Sequence, residues 1–423
     1  MNKPKYEIHV LGCKVNQYDA QQIRELLELS GAVSAEGGVA DISIIHSCGV
    51  TATALQKSLQ AVRAAHRKNP DGFAVMTGCC CALPGFVPPR EAVACVAPHE
   101  HWLTELGEVL NRLPLKLNPV EVPEHSEHFG IHSFSGHTRA FLKIQNGCSI
   151  GCAYCIVPRL RGYLYDKPLP EILAEARSLA ASGHKEIIVS GVSVGLYGGL
   201  AEAMRALCEE NIVPRLGLSS LHPNELTGEL LDVWASFKCM MPHIHLPLQS
   251  GSDRILKMMR RNYARADFLR AAGKVRDNLK NPAITTDVIV GFPGETPQDF
   301  SDTLAFCREI GFSRMHVFPF SPRPGTAAEN MDGRVPPEEI KSRAAKLRAL
   351  GRELARKYCE SFIGRDVEVL VEQRTAEGIC SGYTEHYVPV EFEGSAADKG
   401  NIRIVCADRI IQGPALHAVR GMQ

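Results

Sequence analysis

Short apolar runs alternate with amphipathic stretches along most of this chain. YEIHVLG, DISIIHS and GFAVMTG read as strands, and QQIRELLELSG and AVRAAHRKN read as helices between them. That βαβα rhythm predicts an α/β domain with a parallel sheet over residues 1–125. Residues 114–137 are rich in proline, histidine, serine and glycine and read as a linker. The alternation then resumes. FLKIQ, EIIVSG, RLGLSS, HIHLPL, AITTDVIVG and FSRMHVFPF look like strands, separated by helical stretches such as PEILAEARSLAASG. Repeated units of this number predict a (β/α) barrel, partial or complete, in residues 134–361, with chemistry at the C-terminal strand ends. A charged helical stretch covers 337–361. From 362 to 423 short β-like runs with glycine turns (DVEVLVEQ, HYVPVEF, NIRIVCA) predict a small β-barrel.

Length supports this division, since 423 residues exceed one ordinary core. The 47 basic and 47 acidic residues cancel, so any nucleic-acid surface must be local. The N-terminus has no apolar h-region, and no apolar run is long enough to span a bilayer. Fifteen cysteines without a secretion signal then point to a reducing cytoplasm, with metal-bound or reactive thiols rather than disulfides.

The chemistry concentrates in QNGCSIGCAYCIVP. Cys148, Cys152 and Cys155 form a C-x3-C-x2-C triplet just after the first barrel strand. Three such thiolates can hold three irons of a 4Fe-4S cluster and leave the fourth open. Zinc sites favour paired C-x2-C knuckles, and no second knuckle follows. The spacing resembles that of the radical-SAM superfamily, in which the open iron binds S-adenosyl-L-methionine. Cys13, Cys48 and Cys79 each follow a predicted strand of the first domain. Strand ends of a parallel sheet share one edge, so the three could meet there; they could equally be small buried hydrophobes. Cys80 and Cys81 leave the third position ambiguous.

The set LGCKVNQYDA, GCSIGCAYCIVPRLRG, SGVSVGLYG, HLPLQSGSDRILKMMRR, TTDVIVGFPGET and HVFPFSPRPGT resembles the methylthiotransferases. LGCKVNQYDA and GYTEHYVPVEF are most similar to the branch acting on N6-threonylcarbamoyladenosine in tRNA. HSCGVT departs from the commoner pattern by carrying His46 and Gly49 around Cys48. The resemblance implies an N-terminal domain, a radical-SAM domain and a TRAM-like barrel. It implies two 4Fe-4S clusters, one on Cys148, Cys152 and Cys155, the other on Cys13, Cys48 and Cys79, and S-adenosyl-L-methionine as cofactor. The implied reaction replaces C2–H of the modified adenosine with a methylthio group. Implied partners are the tRNA anticodon stem-loop, a reductant of flavodoxin or ferredoxin type, and a sulfur source. Isopentenyladenosine tRNA, a ribosomal protein side chain, or a non-catalytic iron–sulfur RNA-binding or redox-sensing role are the alternatives.

Softer expectations follow. Tyr154 resembles the aromatic residue near adenine. Gly191 and Gly195 let backbone approach the methionine end, or simply form a βα turn. Ser219 and Ser220 reach the ribose or cap a helix. Gln249 and Ser250 contact cofactor or substrate. Gly291 and Gly294 shape a loop beside the cofactor, with Glu295 structural. Arg161 neutralises an anion or is solvated. His222, His243 and His245 receive no metal role. Arg254, Lys257, Arg260, Arg261, Arg265 and Arg270 form a basic stripe that either meets phosphates or is a solvated helix face. The last 62 residues carry six basic and nine acidic groups. RNA contact there would rest on shape and on stacking through Tyr383, His386 and Tyr387; otherwise the domain merely packs on the barrel.

Overall fold

The computed structural model describes residues 3–419. Arg420, counted above among the basic residues, lies outside them. Five parallel strands form the first sheet, in the order β2-β1-β3-β4-β5. They are β1 (Lys5–Val10), β2 (Val33–Ser34), β3 (Ile42–Ser47), β4 (Phe73–Gly78) and β5 (Ala92–Val96). Helices α1 (Lys14–Leu29), α2 (Ala52–Lys68) and α3 (Trp102–Asn111) connect or flank them. β3 is buried at all six positions, as a central parallel strand with both faces covered should be. Thr51 caps α2 by accepting from the Ala54 N–H, and His66, Arg67 and Lys68 sit at its negative end.

The second unit holds β6 (Ala140–Asn146), β7 (Tyr165–Asp166), β8 (Glu186–Gly191), β9 (Arg215–Leu218), β10 (His243–His245), β11 (Ala283–Val290) and β12 (Arg314–Pro319). Its helices are α4 (Val157–Leu160), α5 (Leu169–Ala181), α6 (Leu200–Glu209), α7 (Gly228–Ser236), α8 (Asp253–Met258), α9 (Arg265–Asn278), α10 (Pro297–Ile310) and α11 (Pro337–Glu360). One ladder runs β7-β6-β8-β9 and another β10-β11-β12. A single parallel bridge, Leu216 to Met240, joins them. The barrel is therefore partial. α1 packs across β6 and β8. The residues of β6 split by the two-residue period of a strand. Leu142 and Ile144 enter the core with Ile172 and Leu179 of α5. Phe141, itself part of this core, and Lys143 meet Lys14 and Asp19 of α1.

The third unit is a closed barrel of β13 (Asp366–Arg374), β14 (Ile379–Thr384), β15 (Pro389–Glu393), β17 (Ala415–Val419) and β16 (Ile402–Ile411). Val369, Val371, Phe392, Val405 and Leu416 fill it.

Two expectations change here. The apparent linker is a strap pinned in place. Gln22 donates from Nε2 to the Ser126 and Phe129 carbonyls, and Ile131 and Phe134 are buried in the main core. Tyr383 and Tyr387 are engaged at the junction of the last two units. The Arg139 guanidinium lies 5.2 Å and 4.9 Å from their ring centroids, and Tyr387 packs on His243 at 4.4 Å. His386 packs on Phe362 at 5.1 Å. Arg215 ties the same junction by donating to the Glu368 and Tyr383 carbonyls at 2.6 Å and 3.1 Å. These aromatic faces hold protein to protein, a use that the run GYTEHYVPVEF alone does not reveal.

Candidate active site

Cys13 caps α1 beyond β1, Cys48 follows β3, and Cys79 opens a short turn after β4. Glycines let these loops approach. A Cβ on Gly12, at φ 127°, would lie 3.1 Å from Cys48 Cβ. One on Gly49 would lie 2.9 Å from the Cys79 carbonyl oxygen, and one on Gly78 2.6 Å from that of Ser47. The thiols are near enough to affect one another. Burial pushes Cys48 up to about 11, and Cys79, Cys13 and Cys80 push it the same way.

The three consecutive cysteines face different partners. Burial also raises Cys79, while Arg161 beside it lowers it. Cys80 donates its thiol to the Cys48 carbonyl at 3.0 Å, and Cys81 hydrogen-bonds Cys95. Arg161 is buried and donates to Asp19 at 2.5 Å; Asp19 also pairs with Lys143 at 2.7 Å. Arg161 thus neutralises a buried carboxylate and is not solvated. His46, the departure in HSCGVT, bonds Thr77 at 2.7 Å and stands 3.7 Å from Asp19.

Cys148, Cys152 and Cys155 lie in the loop after β6. Ala153 donates to the Met259 carbonyl and accepts from Ala328, which fixes the loop against its neighbours. Burial raises Cys155 to about 11, helped by Cys152 and Cys148. Gly147 enters the loop at φ 79°, where a Cβ would fall 2.1 Å from the Tyr163 carbonyl oxygen. Gly147→Ala is expected to cost about 1–3 kcal/mol from backbone strain, with the clash adding to it. Urea unfolding with an unchanged midpoint would refute this.

Arg261 is the residue that pattern reasoning misplaced. Its Nη1 donates to Cys152 Sγ at 3.0 Å, and its plane lies 4.7 Å from the Tyr263 centroid. Its Nε and Nη2 are buried without a partner. Nothing in a basic stripe distinguishes such an arginine from its neighbours. Within the stripe Arg254 pairs with Asp299, Arg265 with Glu309 and Arg270 with Asp267, while Arg254, Lys257, Arg260 and Arg270 stay exposed to solvent.

The softer positions divide. Tyr154 is half-buried beside the triplet, with its ring 6.5 Å from Phe292. A Cβ on Gly195 would meet Glu225 Oε2 at 2.0 Å, and Glu225 caps the His222 N–H at 2.8 Å. Gly191 has a packing reason, because a Cβ there would meet Gln145 at 2.8 Å. Gly291 does too, since Ile340 of α11 lies 2.4 Å from its would-be Cβ. Glu295 is structural, accepting from the Gly291 N–H and pairing with buried Arg343. Gly294 packs against Met258. Ser219 is buried at the end of β9, whereas Ser220 is exposed. Gln249 adopts φ 66° and bridges β11 through its backbone. Ser250 is buried against Thr303.

Among the described residues, no three His, Cys, Asp or Glu side chains converge tightly enough to chelate one metal ion. A four-iron cluster spreads its ligands wider. The donor chemistry fits such a group: burial and neighbouring thiols raise Cys48 and Cys155, so ionised thiolates there call for a cationic centre.

The Radical SAM superfamily matches residues 142–307, and the family described as uncharacterized protein family UPF0004 matches 5–85. The chain is 34% identical to the threonylcarbamoyladenosine tRNA methylthiotransferase MtaB of Thermotoga maritima, over 92% of this chain and 91% of that one. It is 36% identical to the protein of that name from Chlamydia pneumoniae, over 92% of each. A tRNA-2-methylthio-N(6)-dimethylallyladenosine synthase of Thermobifida fusca matches at 36%, over 87% of this chain and 78% of its own. The radical S-adenosylmethionine methyltransferase TsrM of Kitasatospora setae shares the fold, with a TM-score of 0.55 at 13% identity over 90% and 81% of the two chains. With a third of its residues matched across nine-tenths of its length, this chain belongs to the radical-SAM methylthiotransferase family.

Proposed function

We propose that this protein converts N6-threonylcarbamoyladenosine beside the tRNA anticodon to its 2-methylthio derivative. The observation that carries it is the match to threonylcarbamoyladenosine enzymes along nearly all of both chains. Cys148, Cys152 and Cys155 hold one 4Fe-4S cluster, and Cys13, Cys48 and Cys79 hold the other. When bound, the clusters and S-adenosylmethionine supply homolytic removal of an unactivated hydrogen and the methylthio group that replaces it. The chain's own groups prepare that chemistry. Arg261, with two buried N–H groups free beside Cys152, holds the carboxylate of the methionine end. Tyr154 and Phe292 wall the pocket and exclude water. Gly195 leaves Glu225 in place to keep its loop closed. Arg161 stands as counter-charge beside Cys79.

The units act as an N-terminal cluster domain (1–125), a radical-SAM domain (134–361) and a TRAM-like barrel (362–423). A flavodoxin- or ferredoxin-type reductant supplies the electron that homolysis requires, and a separate source restores sulfur. No described helix is long and apolar enough to cross a membrane, and the tRNA substrate favours the cytoplasm.

Mass spectrometry of tRNA nucleosides tests the reading, in a host without methylthiotransferases of its own. Methylthio-threonylcarbamoyladenosine is expected when the protein is supplied. Methylthio-isopentenyladenosine in its place would move the substrate, and no product from cluster-loaded protein would remove the reaction. A second test concerns the ligand set. Cys79→Ala is expected to lower iron per chain, and Cys80→Ala and Cys81→Ala are not, because those thiols are turned to Cys48 and Cys95. Equal loss from all three would overturn the assignment.

A further inference from the structure

Lys14 follows Cys13 directly and opens α1. Its ammonium lies 6.0 Å from the Phe141 ring centroid on β6. It also acts electrostatically on, or is acted on by, Arg139 and Glu186 at the start of β6 and β8, His243 on β10, Asp287 on β11 and His316 on β12. Phe141 is on the β6 face that meets α1, opposite Leu142 and Ile144, which pack with α5, so Lys14 above it faces inward. Lys14 therefore projects into the lumen, on the side of Cys13.

Four other cations of this interior are paired. Lys143 lies 2.7 Å from Asp19, Lys167 2.5 Å from Glu175, Arg161 2.5 Å from Asp19 and Arg215 3.6 Å from Glu186. Lys14 differs. Among the described residues no carboxylate is in ion-pair contact with it; of the acids that act on it, Glu186 is held by Arg139 at 3.3 Å and Arg215 at 3.6 Å, and Asp287 by His245 at 3.3 Å. A half-buried ammonium without a partner is costly unless something anionic visits it.

The proposed substrate carries such an anion. Its N6 threonylcarbamoyl group ends in a carboxylate, whereas an isopentenyl group is uncharged. C2 and C6 of adenine both neighbour N1. A base that turns C2 toward the Cys13 triplet therefore carries its N6 substituent along the same edge, beside Lys14. We propose that Lys14 receives the substrate carboxylate and is a specificity-determining residue, an inference that rests on the threonylcarbamoyladenosine reading.

The test uses full-length, cluster-loaded protein and two anticodon stem-loop RNAs. One bears threonylcarbamoyladenosine and the other bears the same group with its carboxylate replaced by a neutral primary amide. Kd and KM are measured for the wild type, Lys14→Gln and Lys14→Arg, with iron per chain and RNA-independent S-adenosylmethionine cleavage as controls. The wild type is expected to prefer the carboxylate RNA by about 10–100-fold, the range of a charge-assisted hydrogen bond. Lys14→Gln should lose that preference, while binding the amide RNA within about twofold of wild type, and Lys14→Arg should keep most of it. Equal loss on both RNAs would make Lys14 a counter-charge to the cluster only and overturn the proposal. A wild type that does not distinguish the RNAs would overturn it without any variant. Protein that modifies only isopentenyladenosine RNA would remove the substrate reading itself, and this inference with it.

Discussion

Arg161→Met is expected to destabilise the protein by about 3–5 kcal/mol, the cost of breaking a buried ion pair from one side. Arg161 is 3% exposed and Asp19 is 1% exposed, so neither charge has water to fall back on. Lys143 would remain, but it is already shared between Asp19 at 2.7 Å and Glu127 at 2.8 Å. Two buried carboxylates would then face one ammonium. His46 gives little relief, because burial first of all keeps its proton affinity low. The variant should also load less iron at the Cys13 triplet, since it loses the positive charge that lowers Cys79. Urea unfolding of wild type and variant, with iron per chain measured on each, checks both effects. A loss of under about 1 kcal/mol would mean that the pair behaves like a surface ion pair.

The second large effect is a separation between the two cysteine sets. Cys152→Ala is expected to abolish both S-adenosylmethionine cleavage and methylthiolated product. Cys13→Ala should abolish product while leaving cleavage measurable. The reason is spatial. Cys152 lies in the loop after β6 with Arg261 upon it, and Cys13 lies at the edge of a different sheet. Chromatography of cleaved cofactor and mass spectrometry of the nucleoside, from one reaction, decide the matter. Product from Cys13→Ala at the wild-type level would remove any role for the N-terminal triplet in sulfur transfer.

Much of this was legible in the chain. The strands of the first sheet show as apolar runs because a parallel strand buried on both faces has no polar alternation to hide it, as in ISIIHS. The six cysteines stand out because each follows such a run. What the chain could not show are contacts between residues far apart in it. Arg261 resembles five other cations of its stretch until Cys152, 109 positions away, is set against it. Gly291 looks like a loop glycine beside a cofactor, and only α11 reveals that Ile340 needs the space. Tyr387 resembles a base-stacking ring until Arg139 and His243 claim its faces. The short β10 and the single bridge beside it depend on barrel geometry, which no local pattern encodes.

The ion network beneath α1 has a consequence for the order in which the chain is made. Asp19 leaves the ribosome early, yet its partner Lys143 follows 124 residues later and Arg161 later still. At ordinary synthesis rates that interval is on the order of ten seconds. Throughout it, α1 can dock on the first sheet through Ile23, Leu26 and Leu27, but Asp19 has only His46 beside it and no lysine or arginine to meet. The Asp19 face of α1 must stay open to water, or be sheltered, until β6 and the loop after it emerge. Birth of the first domain is thereby timed by the second.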